Sequence, residues 1–86
     1  MYQPIDCDLH DYIEIACMKG YTVKLELADK RELIAQAQTT QTNRDKSEEL
    51  IVNDAGQQQR IQLDQIVAMT PLDHNAEFGR IVFRNS

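Results

Sequence analysis

The spacing of apolar side chains changes at Gly20, and this change limits the folds open to the chain. Before Gly20, apolar residues recur every three or four positions, the spacing of an amphipathic helix, at Leu9, Tyr12, Ile13, Ala16 and Cys17. After it, Val23, Leu25 and Leu27 alternate with polar residues, which is the period of a half-buried strand. The sequence therefore predicts one N-terminal helix followed by strands.

The predicted helix covers residues 8–19, and residues at both ends support these limits. Asp8 suits the N-cap position, because its carboxylate can accept hydrogen bonds from the free amides of the first turn. Asp11 adds negative charge near the positive end of the helix dipole. Gly20 suits the C-terminal stop, where a left-handed backbone conformation is common.

The rest of the chain predicts short strands separated by polar turns. A turn at 29–30 joins the first two strands, and turns are also expected at 54–56 and over the glutamines 57–59. Residues 39–47 are expected to form a loop or a frayed strand end, and residues 72–78 a loop open to solvent. The predicted strands are 21–27, 33–38, 50–52, 60–63, 66–70 and 80–83.

These elements predict a fold that is mostly β with one N-terminal α-helix, a strongly bent five- to six-stranded antiparallel barrel or sandwich. At 86 residues the chain is short enough that we expect a single domain over residues 1–86. The acidic segment and the helix occupy about residues 1–20, and the strands occupy about residues 21–86.

Charge indicates the kind of partner. The chain has 14 acidic and nine basic residues, a net charge of −5, which repels nucleic acid and anionic membranes and attracts basic surfaces. Acids are concentrated at the start, where only Lys19 opposes Asp6, Asp8, Asp11 and Glu14. No apolar run is long enough to span a membrane, and no secretory signal is evident. With two cysteines, we expect a cytoplasmic protein with reduced thiols.

Several segments resemble one known family. The run from Tyr2 to Asp8, Tyr-Gln-Pro-Ile-Asp-Cys-Asp, is followed at the family's spacing by Asp11, Glu14, Ala16, Cys17, Leu25 to Leu27, Leu63 to Ile66 and Gly79 to Phe83. This pattern resembles the Rof (YaeO) family of Rho-binding antiterminators over nearly the whole chain. The resemblance implies an Sm-like fold, with an N-terminal helix on a strongly bent five-stranded sheet.

The resemblance also implies a function. Family members bind the N-terminal RNA-binding domain of the termination factor Rho, block its primary RNA site and inhibit termination. By position, the family's acidic residues fall on Asp8, Asp11 and Glu14. We then expect a monomer in the free state, and neither a cofactor nor direct binding of nucleic acid. The alternative is an Sm-like RNA-binding or RNA-regulatory module, because barrels of this kind often bind RNA.

The helix has a face opposite its apolar stripe. On a helical wheel, acidic side chains flank Met18 there, and Met18 or Ile15 could form the desolvated centre of an interface. An ordinary solvated helix face would have the same composition. The residues predicted to bind Rho are Asp8, His10, Asp11, Glu14, Ile15 and Met18.

Metal binding and catalysis find little support in the sequence. Four side chains could in principle hold zinc, namely Cys7, His10, Cys17 and His74, but only Cys7 and His10 are close in sequence, and structural sites usually need two such pairs. No serine, histidine and acid set suggests a nucleophile with its base, so we expect no enzyme activity.

The basic residues form no stripe that RNA could follow. Arg44 and Lys46 are expected to be neutralised by Asp45, Glu48 and Glu49 in a solvated, mobile loop.

Overall fold

One helix and six strands make up the computed structural model, which describes residues 7–84, with side chains from Asp8 onward. The predicted acidic segment before the helix and the side chain of Cys7 lie outside this description. In chain order the elements are α1 (Cys7–Lys19), β1 (Thr22–Leu27), β2 (Glu32–Thr42), β3 (Glu48–Asp54), β4 (Gln57–Gln62), a 3₁₀ turn (Leu63–Gln65), β5 (Ile66–Pro71) and β6 (Ile81–Val82).

All six strands belong to a single antiparallel sheet, in the order β4-β3-β2-β1-β5-β6. Within the described residues the sheet does not close, because β4 and β6 lie at its two edges. The predicted class, mostly β with one N-terminal helix, is confirmed. In the part of the chain that the structure describes, no helix has the length and apolar character needed to cross a membrane.

Helix α1 ends where the sequence predicts and begins one residue earlier. Gly20 has a φ of 66°, and its N–H donates to the Cys17 carbonyl at 3.2 Å. The Tyr21 N–H donates to the Ala16 carbonyl at 3.0 Å, which completes a Schellman motif. Asp8 was predicted as the N-cap, but it lies in the first turn. Its carboxylate is therefore close to the positive end of the helix dipole.

Two segments predicted as polar turns or loops belong to strands. Strand β2 continues to Thr42, and the glutamines at 57–59 begin β4, pairing with residues 52–54 of β3. Strand pairing is made by backbone groups, so a polar edge strand needs few apolar side chains. The connection between β2 and β3 is thus only residues 43–47, where the Ser47 side chain is buried and donates to Asp45 at 2.6 Å. The predicted mobile loop is therefore a compact turn.

The sheet bends because its register shifts in two places. One shift lies between Ala37 and Thr39 in β2, and the other between Glu26 and Leu27 in β1. Helix α1 packs mainly on β2, and its inner face contributes Ile13 and Ala16 to the core. Leu9, Tyr12 and Cys17 lie at the margin of that core. The largest fully buried side chains are Ile13, Val23, Leu25, Leu50, Val52, Leu63, Ile66 and Met69.

The loop after β5 is open to solvent only in part. His74 and Asn75 are exposed, as predicted. Phe78, however, is half-buried, with its ring edge-to-face on Tyr12 at a centroid distance of 5.0 Å and on Tyr21 at 6.0 Å. The prediction of a uniformly open loop was wrong because two aromatic rings from distant segments provide an apolar surface for Phe78.

Candidate protein-binding site

The outer face of α1 carries four of the six residues predicted to bind a partner. Asp8, Asp11 and Glu14 are exposed, and Met18 is 83% exposed. Ile13 and Ala16, on the opposite face, are fully buried. The 3.6-residue period of the helix places these carboxylates in a row along one face, with the flexible apolar side chain of Met18 one turn beyond Glu14. We call the surface formed by Asp8, Asp11, Glu14 and Met18 the acidic face.

The other two predicted residues are largely covered. Ile15 is half-buried and packs against the margin of the core. The side chain of His10 is 18% exposed and lies between α1 and the start of β3. Its Nε2 donates to Glu48 Oε2 at 2.8 Å, and its Nδ1 lies 3.5 Å from Glu14 Oε1. Neither residue therefore offers the open surface that the sequence predicted for it.

Glu48 is a residue of this region that the sequence analysis missed. It was assigned to local neutralisation of Arg44 and Lys46, yet its carboxylate accepts from His10, 38 positions away. Asp45 and Glu49 also have other partners. Asp45 accepts from both the N–H and the hydroxyl of Ser47, and these hydrogen bonds hold the pKa of its carboxyl below the usual value. Glu49 pairs with Arg60 at 3.7 Å.

The C-terminal half of α1 is held by the loop between β5 and β6. Lys19 Nζ lies 3.4 Å from Glu77 Oε1, and the Glu77 N–H donates to the Tyr21 hydroxyl at 3.2 Å. Farther along, the Thr22 N–H donates to Asp73 Oδ1 at 3.0 Å. Together with Phe78, these contacts seat the end of the helix on the sheet.

Within the described part of the chain, the side chains considered for a metal site or a nucleophile do not form such a site. Among the described residues, no three His, Cys, Asp or Glu side chains come close enough to hold a metal ion. His10 is engaged with Glu48, and Cys17 is half-buried. Burial, and then the negative charge of Glu14, raise the pKa of the Cys17 thiol to about 11. This disfavours the thiolate that a nucleophile or a metal ligand requires.

An open groove of about 270 Å³ lies apart from the acidic face, between β4 and the turn that joins β1 to β2. No residue of α1 lines it. Its two arginines already have acidic partners, since Arg31 pairs with Asp29 at 2.6 Å and Arg60 pairs with Glu49. The groove therefore presents little free positive charge for a phosphate backbone.

A bent antiparallel sheet, capped by one helix whose outer face carries carboxylates and an apolar side chain, defines a small β domain with an acidic candidate protein-binding face. Comparisons with known proteins identify its family. The family profile described as "Modulator of Rho-dependent transcription termination (ROF)" matches residues 4–83.

Relatives and a solved structure agree with this match. Protein rof of Escherichia coli (strain K12) is 35% identical over 85 residues, which cover 99% of this chain and 95% of that protein, and protein rof of Shigella flexneri gives the same figures. The structure described as YaeO bound to magnesium, from Vibrio cholerae O395, matches with a TM-score of 0.78 at 30% identity. That match covers 86% of this chain and 96% of the solved one.

The chain belongs to the Rof family, whose described role is modulation of Rho-dependent transcription termination. The resemblance noted in the sequence is thus confirmed for nearly the whole chain.

Proposed function

We propose that the protein binds Rho with the acidic face of α1 and inhibits termination by occupying Rho's primary RNA-binding site. The protein would act in the cytoplasm as a stoichiometric inhibitor, with neither a catalysed reaction nor a cofactor. The observation that carries the proposal is the exposure of Asp8, Asp11, Glu14 and Met18 on one face of a helix.

Charge complementarity supports this choice of surface. A site that binds RNA must present basic groups to the phosphates, so a carboxylate-rich helix can compete for the same groups. The net charge of −5 would steer the protein toward such a site. Met18 could supply the desolvated apolar contact that slows dissociation.

The competing function, an RNA-binding module, fits these observations less well. The phosphates of a bound RNA would meet an acidic protein, and the two arginines of the open groove are already paired with carboxylates. We therefore expect purified protein to retain Rho but not RNA, and to be a monomer in the free state.

The central experiment reverses charge on the acidic face with Asp11→Lys and Glu14→Lys together. We expect affinity for Rho to fall at least about 100-fold and termination to be restored, because attraction to a basic surface becomes repulsion at the contact. Folding should persist, since both side chains are exposed and lysine is a good helix former. Surface plasmon resonance and a termination assay measure the two outcomes.

The matched control is Asp29→Lys with Glu32→Lys, which makes the same four-unit change in charge on the β1–β2 turn and the start of β2. Those side chains are 50% and 56% exposed, close to the 55% of Glu14. Their ion pairs with Arg31 and Lys24 are exposed and contribute little stability. Loss of binding in the control, with binding retained in the helix variant, would show that another surface meets Rho.

A further inference from the structure

We propose that His10 is a positioning residue for this interface, which fastens α1 to β3 through Glu48 and does not itself contact Rho. The inference rests on the proposed function, because it concerns how the acidic face is held for its partner. It reverses the expectation that His10 is one of the contacting side chains.

Burial gives the first argument. With 18% of its side chain exposed, His10 offers a partner little area, whereas its neighbour Asp11 is open to solvent. The imidazole of His10, on α1, forms a hydrogen bond with Glu48, on β3. It thereby joins two elements that are far apart in the sequence.

The hydrogen-bond geometry gives the second argument. A carboxylate can only accept, so the 2.8 Å contact assigns a proton to His10 Nε2, donated to Glu48 Oε2. The other ring nitrogen lies 3.5 Å from the Glu14 carboxylate, which belongs to the acidic face. The link from the helix to the sheet is therefore the hydrogen bond to Glu48, whereas Glu14 belongs to the same helix as His10.

The consequence concerns pre-organisation. The side chain at position 10 limits how far the N-terminal half of α1 can rotate or shift relative to β3. Without the fastening, the carboxylates of α1 would sample several positions, and binding Rho would have to select one of them. His10 thus acts on affinity through Glu48.

A double-mutant cycle tests whether His10 and Glu48 act together on Rho binding. We expect His10→Ala and Glu48→Ala each to weaken Rho binding about tenfold, and the double variant to lose no more than either single variant, because both changes break the same link. His10→Gln should restore binding to within about threefold of the original protein, since its amide can still donate to Glu48. Additive losses in the double variant would mean that His10 contacts Rho directly, and would overturn the inference.

Free protein provides an independent measurement. In ¹⁵N–¹H spectra, His10→Ala and Glu48→Ala should shift the same amide signals of α1, with His10→Gln close to the original spectrum. Separate sets of shifted signals would overturn the inference whether or not Rho binds. If the unmodified protein fails to bind Rho but both variants shift the same amide signals, the proposed function is wrong, while the link between α1 and β3 through His10 and Glu48 is confirmed.

Discussion

Helix α1 is attached to the rest of the protein in two places that differ in chemistry. The polar attachment consists of His10 and Glu48, and holds the N-terminal half of the helix to β3. The aromatic attachment consists of Tyr12, Tyr21 and Phe78, and holds the middle of the helix and the residue after Gly20 to the loop between β5 and β6.

The two attachments differ in what they contribute. Burying aromatic surface is favourable without strict geometry, so the aromatic attachment should supply most of the stability with which the helix is docked. A hydrogen bond replaces bonds to water and contributes little net stability, but it restricts the positions that two groups can occupy. We therefore expect the aromatic attachment to keep α1 on the sheet and the polar attachment to set its orientation.

The largest expected effect is that Cys17 is labelled much more slowly in the folded protein than in the unfolded chain. Its side chain lies half-buried against the core as long as both attachments hold α1 on the sheet. Because burial raises the pKa of its thiol from the ordinary 9.0 to about 11, the thiolate population at pH 8 is about 100-fold lower. In the Cys7→Ser variant, the Cys17 thiol of the folded protein should react with an aromatic disulfide reagent at least about 100-fold more slowly than the same thiol in denaturant. Equal rates under the two conditions would mean that the helix opens freely from the sheet.

The next largest effect should come from Phe78→Ala. Removing a half-buried ring that contacts two other aromatic rings should lower the free energy of unfolding by about 2 kcal/mol, less than for a fully buried phenylalanine. Urea denaturation measures this change, and Cys17 labelling should accelerate in parallel. His74→Ala, an exposed position in the same loop, is the control and should change stability by less than about 0.5 kcal/mol. If Phe78→Ala leaves the free energy of unfolding unchanged, the aromatic attachment does not supply most of the stability with which the helix is docked.

The smallest effect is expected for Glu77→Gln, which removes the ion pair with Lys19 but leaves the backbone hydrogen bond to Tyr21. The Lys19 and Glu77 side chains are 52% and 55% exposed, so the loss should be below about 0.5 kcal/mol. Urea denaturation at low and high salt checks this value. A loss of unfolding free energy as large as that of Phe78→Ala would mean that the ion pair stabilises the docked helix as much as the aromatic rings do.

The sequence by itself determined the features that depend on neighbouring residues. The change of apolar period at Gly20 predicted one helix followed by strands, and the left-handed conformation of that glycine ends α1 as expected. Helical spacing also predicted that Asp11, Glu14 and Met18 would lie on a face opposite Ile13 and Ala16.

Only the tertiary structure decided which distant residues meet. The bends at the register shifts in β1 and β2 shape the sheet on which α1 packs, and no local pattern predicts that His10 reaches Glu48 or that Phe78 reaches Tyr12. The polar run at 57–59 likewise became a strand because β3 supplies the backbone partners. Periodicity encodes which face of an element is apolar, whereas contacts across the chain depend on how the whole sheet bends and packs.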